Sequence, residues 1–126
     1  MNKWFLIMLY ISLSIFNGNT NEPITISDVR LESGFYRIYY SNGSKGKVLS
    51  ASYAGEFYGF GKDFILFSNN GFYTTYDENF NVIKRFPLNT GDFRSVSFST
   101  INFVKNNFIT TYDKNFNKLS TKPLVK

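Results

Sequence analysis

An all-β fold, an antiparallel meander of about nine strands in three 36-residue repeats, is what this sequence predicts, and three observations predict it. The first is self-similarity: "FYTTYDENFNVIKRFPL" starts at Phe72 and "FITTYDKNFNKLSTKPL" starts at Phe108, 36 positions later. Fixed-period similarity marks a supersecondary unit that cannot bury its apolar face alone and is stacked against its copies. The second is composition, with 15 Phe and 9 Tyr in 126 residues, side chains that suit a pleated, half-buried surface. The third is alternation: Ile65 and Phe67 share one face by the two-residue period, and Phe72, Thr74 and Tyr76 share a face in the next run.

Taken in order, the repeat aligns Ile65 with Ile101, Phe67 with Phe103, Phe72 with Phe108, Tyr76 with Tyr112, Phe80 with Phe116 and Pro87 with Pro123. A worn first copy is expected at the same spacing, with Val29 and Leu31 in the places of Ile65 and Phe67, Tyr36 in that of Phe72, and Gly43 in that of Asn79. Each unit then reads as two hairpins sharing a central strand. On the face opposite Ile65 and Phe67, the middle copy carries Phe64 and Leu66, where the third has Thr100 and Asn102 and the first has Asp28 and Arg30. A middle unit apolar on both faces is either sandwiched by its neighbours or exposes a patch for a partner.

The conserved lettering between the strands reads as turn chemistry. Asp77 and Asp113 stand where a short carboxylate accepts hydrogen bonds from backbone N–H groups ahead of it, and Asn79 and Asn115 stand where a positive φ is expected. Gly43 in that slot of the first copy agrees, since Gly and Asn enter the left-handed region at least cost. "SNGS" around Asn42-Gly43 is a further hairpin signal. Asp77-Glu78-Asn79-Phe80-Asn81 also resembles the start of a calcium loop, but the sixth and twelfth places hold Val82 and Leu88 instead of Gly and Glu, so no metal is expected.

Residues 1–20 read as an export signal: Lys3 supplies the positive start, Trp4 to Phe16 the apolar stretch, and Gly18 and Thr20 the small residues before a cut. Thirteen residues of helix reach about 20 Å, short of a ~30 Å hydrocarbon core. Residues 21–126 then form a single β-repeat domain, periplasmic or extracellular, with no cysteine for a disulfide. The net charge of +5 comes from cations scattered along the chain without a run, which speaks against nucleic acid as a partner.

The hairpin "NNGFYTTYDENFNVI" resembles the WG-type repeats of bacterial proteins over Asn69–Ile83 and, more weakly, Lys105–Leu119, with Tyr73-Thr74 and Ile109-Thr110 in place of the Trp-Gly pair. That resemblance implies antiparallel β-repeats used for binding and no reaction class. Three units are too few for a complete propeller ring, so an open propeller-like stack or curved sandwich is expected, with a β-trefoil as the alternative. Edge strands at both ends leave open backbone that a partner or a homodimer would cover.

Without His or Cys the chain lacks the commonest general base, the thiol nucleophile and most zinc chemistry. No catalytic residue and no cofactor is expected. The segment "YAGEFYGFGKD" breaks the repeat with three glycines and four aromatics, Tyr53, Phe57, Tyr58 and Phe60. Those rings either belong to the core or form an aromatic contact surface for a protein or a sugar. The expected function is an exported, non-enzymatic protein-binding module, such as an immunity protein or an inhibitor of a toxin or cell-wall hydrolase; the alternative is a carbohydrate-binding module that reads a glycan with the same four rings.

Overall fold

The structure is a computed structural model that describes residues 22–125; the expected export signal lies outside the described residues. Eleven antiparallel strands form three meandering sheets. The first sheet holds β1 (Ile26–Glu32), β2 (Phe35–Tyr40) and β3 (Lys45–Ser50). A single helical turn, α1 (Ala51–Ala54), leads to the second sheet, β4 (Glu56–Phe60), β5 (Ile65–Asn69), β6 (Phe72–Tyr76) and β7 (Val82–Pro87). A 3-10 turn (Leu88–Thr90) leads to the third, β8 (Asp92–Val96), β9 (Ile101–Lys105), β10 (Phe108–Tyr112) and β11 (Lys118–Pro123). The strands number eleven and not nine because the full unit has a fourth strand, β4 or β8, ahead of the two hairpins. The expected all-β open stack is what forms, and the trefoil is not.

The middle sheet is sandwiched. Ile65, Phe67 and Tyr76 pack with Val29 and Ile38 of the first sheet, and Phe64, Leu66 and Tyr73 pack with Ile101, Phe103 and Tyr112 of the third. Successive residues Phe64 to Phe67 are fully buried, alternately against one neighbour and the other. A strand covered on both faces reads as a continuous apolar run, which is why "FILF" shows no alternation.

The first copy lies in a different register from the one expected. The two-residue turns that join the second and third strands of the unit have both φ values positive, at Ser33-Gly34, Asn70-Gly71 and Asn106-Asn107, as a type I′ hairpin requires. Those pairs are 37 and then 36 residues apart. Tyr36 therefore corresponds to Tyr73, Phe35 to Phe72, and Val29 to Leu66, one place away from the alignment at a uniform spacing. The extra residue sits in the linker between sheets, five residues long at 51–55 and four at 88–91. Because side chains alternate, a one-residue slip exchanges faces. Val29 and Ile38 consequently face the middle sheet, while Asp28 and Arg30 turn outward.

The outward faces at both ends of the stack carry polar networks, beside the exposed Phe35 and Val48 on the first sheet. On the first sheet Arg30 pairs with Asp28 at 2.8 Å and Arg37 with Glu32 at 3.3 Å. The Arg30 guanidinium lies 4.4 Å from the centre of the Tyr39 ring, whose hydroxyl donates to Glu32. On the third sheet Asn102 donates to Ser95 and accepts from Thr111. Such polar terminal faces cap a stack that would otherwise keep adding units.

The turn residues act in part as expected. One carboxylate oxygen of Asp77 accepts from the N–H groups of Asn79 and Asn81, both at 2.9 Å, and Asp113 does the same for Asn115 and Asn117. The positive φ, however, falls one residue later than expected, at Phe80 (59°) and Phe116 (58°) instead of Asn79 and Asn115. Gly43 (87°) corresponds to these phenylalanines once the register is 37. Packing decides the matter: Phe116 is 6% exposed and stacks on Phe86 with ring centres 4.8 Å apart and planes 8° apart. Burial of the Phe116 ring, and half-burial of Phe80 against the first core, offset the cost of an unfavourable backbone.

Candidate binding site on the outer rim

The four aromatics singled out in the sequence do not share one face. A bulge in β4 pairs Phe57 with Phe67 and Gly59 with Leu66, leaving Tyr58 as the extra residue. Phe57 and Phe60 pack on the core between the first two sheets. Tyr58 turns to the other side, edge-on to Tyr73 and Phe93 at 5.6 and 4.9 Å. Tyr53 alone is well exposed, at 62%, on α1. Gly55, at φ +89°, lets β4 approach β5 so closely that a Cβ there would stand 2.2 Å from the Ser68 carbonyl.

Tyr53 does line a groove. Between α1 and the second sheet, a cleft of about 350 Å³ is bounded by Ser52, Tyr53, Asn69, Asn70, Thr74, Tyr76, Val82 and Arg85. A second of about 490 Å³, between the second and third sheets, includes Thr90, Lys105, Asn106, Phe108, Thr110, Tyr112, Lys118 and Thr121. The two are copies of one another at the repeat spacing: Asn70 matches Asn106, Thr74 matches Thr110, and Tyr76 matches Tyr112. A third, of about 300 Å³, lies on the outer face of the first sheet between Glu32, Ser33, Phe35, Arg37 and Val48, which are the matching positions of that copy. The wall of the two inner grooves is held by the same bond, from the Asn69 amide to the Tyr53 carbonyl at 2.6 Å and from the Lys105 ammonium to the Asn89 carbonyl at 2.7 Å.

Each groove is associated with one exposed phenylalanine at the start of the third strand of its unit. Phe35, Phe72 and Phe108 are 47%, 36% and 45% exposed. Uniform spacing would have put the buried-side residue Tyr36 in this row, so the corrected register is what discloses it. The Arg85 guanidinium covers the Phe72 ring at 4.5 Å from its centre.

Glu32, the one carboxylate among the described residues lining these three grooves, is held below its ordinary pKa, first by the Tyr39 hydroxyl and then by Arg37 and Lys45. Tyr76 and Tyr112 are pushed above the ordinary phenol value by burial, so both remain neutral and offer hydroxyls. The grooves present hydroxyls, amides, cations and rings. Compared with known proteins, the chain matches no family model, no curated protein and no solved structure.

Proposed function

We propose that this is an exported, non-enzymatic module that binds another protein, in the manner of an immunity protein or an inhibitor of a toxin or cell-wall hydrolase. The observation that carries this reading is the row Phe35, Phe72 and Phe108, with Arg85 laid over the middle ring. Exposed aromatics beside arginine are the composition of protein contact hot spots. A sugar-binding platform needs an open ring face, and Arg85 already occupies one face of Phe72. The N-terminal signal supports export, and the polar terminal faces support a finished three-sheet unit. The likeness of Asn69–Ile83 to WG-type repeats points the same way.

The test is affinity capture by the tagged protein from the exported fraction of its producing cells, followed by assay of whatever hydrolase or toxin activity the fraction contains. Specific retention of one protein, and loss of its activity on adding the module, is expected. Retention of polysaccharide with no protein captured would instead establish the carbohydrate-binding reading.

A further inference from the structure

The cations that look scattered along the sequence are gathered by the fold. The last strand of each sheet, β3, β7 and β11, carries Lys45 and Lys47, Lys84 and Arg85, and Lys118 and Lys122, and none of the three carries an Asp or Glu. The adjoining strands β2, β6 and β10 contain no acid either. The strand acids lie on the opposite edge of each sheet, as Asp28, Glu32, Glu56 and Asp92 do, with Glu32 reaching the first groove, and others lie in turns, as Asp63, Asp77, Glu78 and Asp113 do. All six rim cations are exposed, and none forms an ion pair among the described residues. Lysine on an edge strand guards against edge-to-edge pairing. That role needs no absence of acids from the two outer strands of every sheet, and it gives no reason for a phenylalanine row beside the lysines.

We infer that the outer rim docks an acidic, extended polypeptide segment whose apolar side chains enter the successive grooves. This rests on the protein-binding reading and names the partner's chemistry. Charge complementarity sets the sign: six unpaired cations across three neighbouring sheet edges add their fields over about a Debye length of 8 Å and favour an anionic partner. The spacing sets the pattern. Packed sheets lie about 10 Å apart, which one three-residue turn of an extended polyproline-II chain covers at about 3.1 Å per residue, and that helix points every third side chain the same way. An apolar residue at every third position therefore meets Phe35, Phe72 and Phe108 in turn, with Asp or Glu between them on the flanks toward the lysines. A nucleic acid matches the charge but would need open ring faces for its bases, and Arg85 covers Phe72.

The test measures fluorescence anisotropy of a labelled, capped nonapeptide with leucine at every third position and Glu or Asp elsewhere. The controls are an isomer with its leucines adjacent, a short single-stranded DNA and a heparin fragment. Binding of the spaced peptide at least about tenfold tighter than the isomer is expected, weakening with salt. Lys84→Glu with Arg85→Glu should reduce it by about tenfold or more, whereas Lys62→Glu with Arg94→Glu, the same change of net charge off the rim, should leave it within about twofold. Phe108→Ser should abolish the preference between isomers, with a melting curve confirming the fold. Equal binding of both isomers, tighter binding of DNA or heparin, or indifference to the rim reversal would each overturn the proposal. Repeating the affinity capture with the rim reversal separates the two readings. A protein captured equally by wild type and variant keeps the protein-binding function and removes the rim, and peptide binding with no natural protein captured removes the function.

Discussion

Thr75 donates its hydroxyl to the backbone carbonyl of Lys114 at 2.8 Å, joining a fully buried position on β6 to the turn between β10 and β11, 39 residues away. The bond ties the middle sheet to the third at a place where the first junction uses Ile38, a purely apolar residue. Thr75→Val preserves the volume but leaves the Lys114 carbonyl without that partner. The expected loss is about 1–3 kcal/mol of stability, seen as a melting temperature lower by roughly 4 °C or more. An unchanged melt would mean that water reaches this carbonyl.

Phe116 combines a left-handed backbone with a buried ring. Phe116→Ala keeps the strained φ and removes the ring, at about 3–5 kcal/mol. Phe116→Gly removes the ring and also the strain, so the glycine variant should melt above the alanine variant by an amount equivalent to about 1 kcal/mol. The order is the reverse of that expected for a residue with negative φ. The same comparison at Asn79, whose φ is not positive, should favour alanine.

Two glycines at positive φ differ in what surrounds them, and Gly55 also has ψ −144°, a backbone that only glycine favours. Gly43, at +87°, has open space where a Cβ would stand, whereas Gly55, at +89°, has the Ser68 carbonyl at 2.2 Å. Gly43→Ala should cost about 1 kcal/mol, the left-handed penalty alone. Gly55→Ala must also push β4 off β5 and should cost several times as much or prevent folding. Similar losses from the two would refute the tight approach.

Asp113 connects the turn to pH. Burial pulls its carboxyl upward, but the N–H groups of Asn117 and Asn115, the Asn117 amide and the nearby Lys114 outweigh burial and hold it below its ordinary value. A carboxyl lowered in the folded state contributes stability that is present above the unfolded pKa of about 3.9 and is lost as pH falls through the folded value. The melting temperatures of wild type and Asp113→Ala should therefore differ at neutral pH, by about 1 kcal/mol because the turn is wet, and converge below about pH 4. A gap that stays constant down to pH 3 or so would mean that the carboxylate charge is not what holds the turn.

Much of this architecture was legible in the letters. Repetition of TTYD and the two-residue alternation declared an all-β stack whose middle unit is apolar on both faces, because the character of a strand's faces is written directly in its side chains; that both faces meet sheets, and neither is left for a partner, came from the packing. The aspartate turns were legible too, since Asx chemistry is local. What was not legible was the register of the first copy. A linker of five residues in place of four shifts the parity of a whole sheet, and alternation by itself cannot tell which of two faces meets a neighbour. The positive φ at Phe80 and Phe116 was hidden for a related reason: local preference favours asparagine or glycine there, and only the burial of the rings against other sheets overrides it.

Residue identity and local periodicity were enough to establish that this chain builds antiparallel repeats and carries no histidine or cysteine. Tertiary structure alone decided which residues stand together: Tyr58 parted from Phe57, Phe35 aligned with Phe72 and Phe108, and six distant cations brought to one rim. Those juxtapositions depend on how far each linker carries the next sheet, and a length of chain takes on that meaning only when the faces it connects are packed.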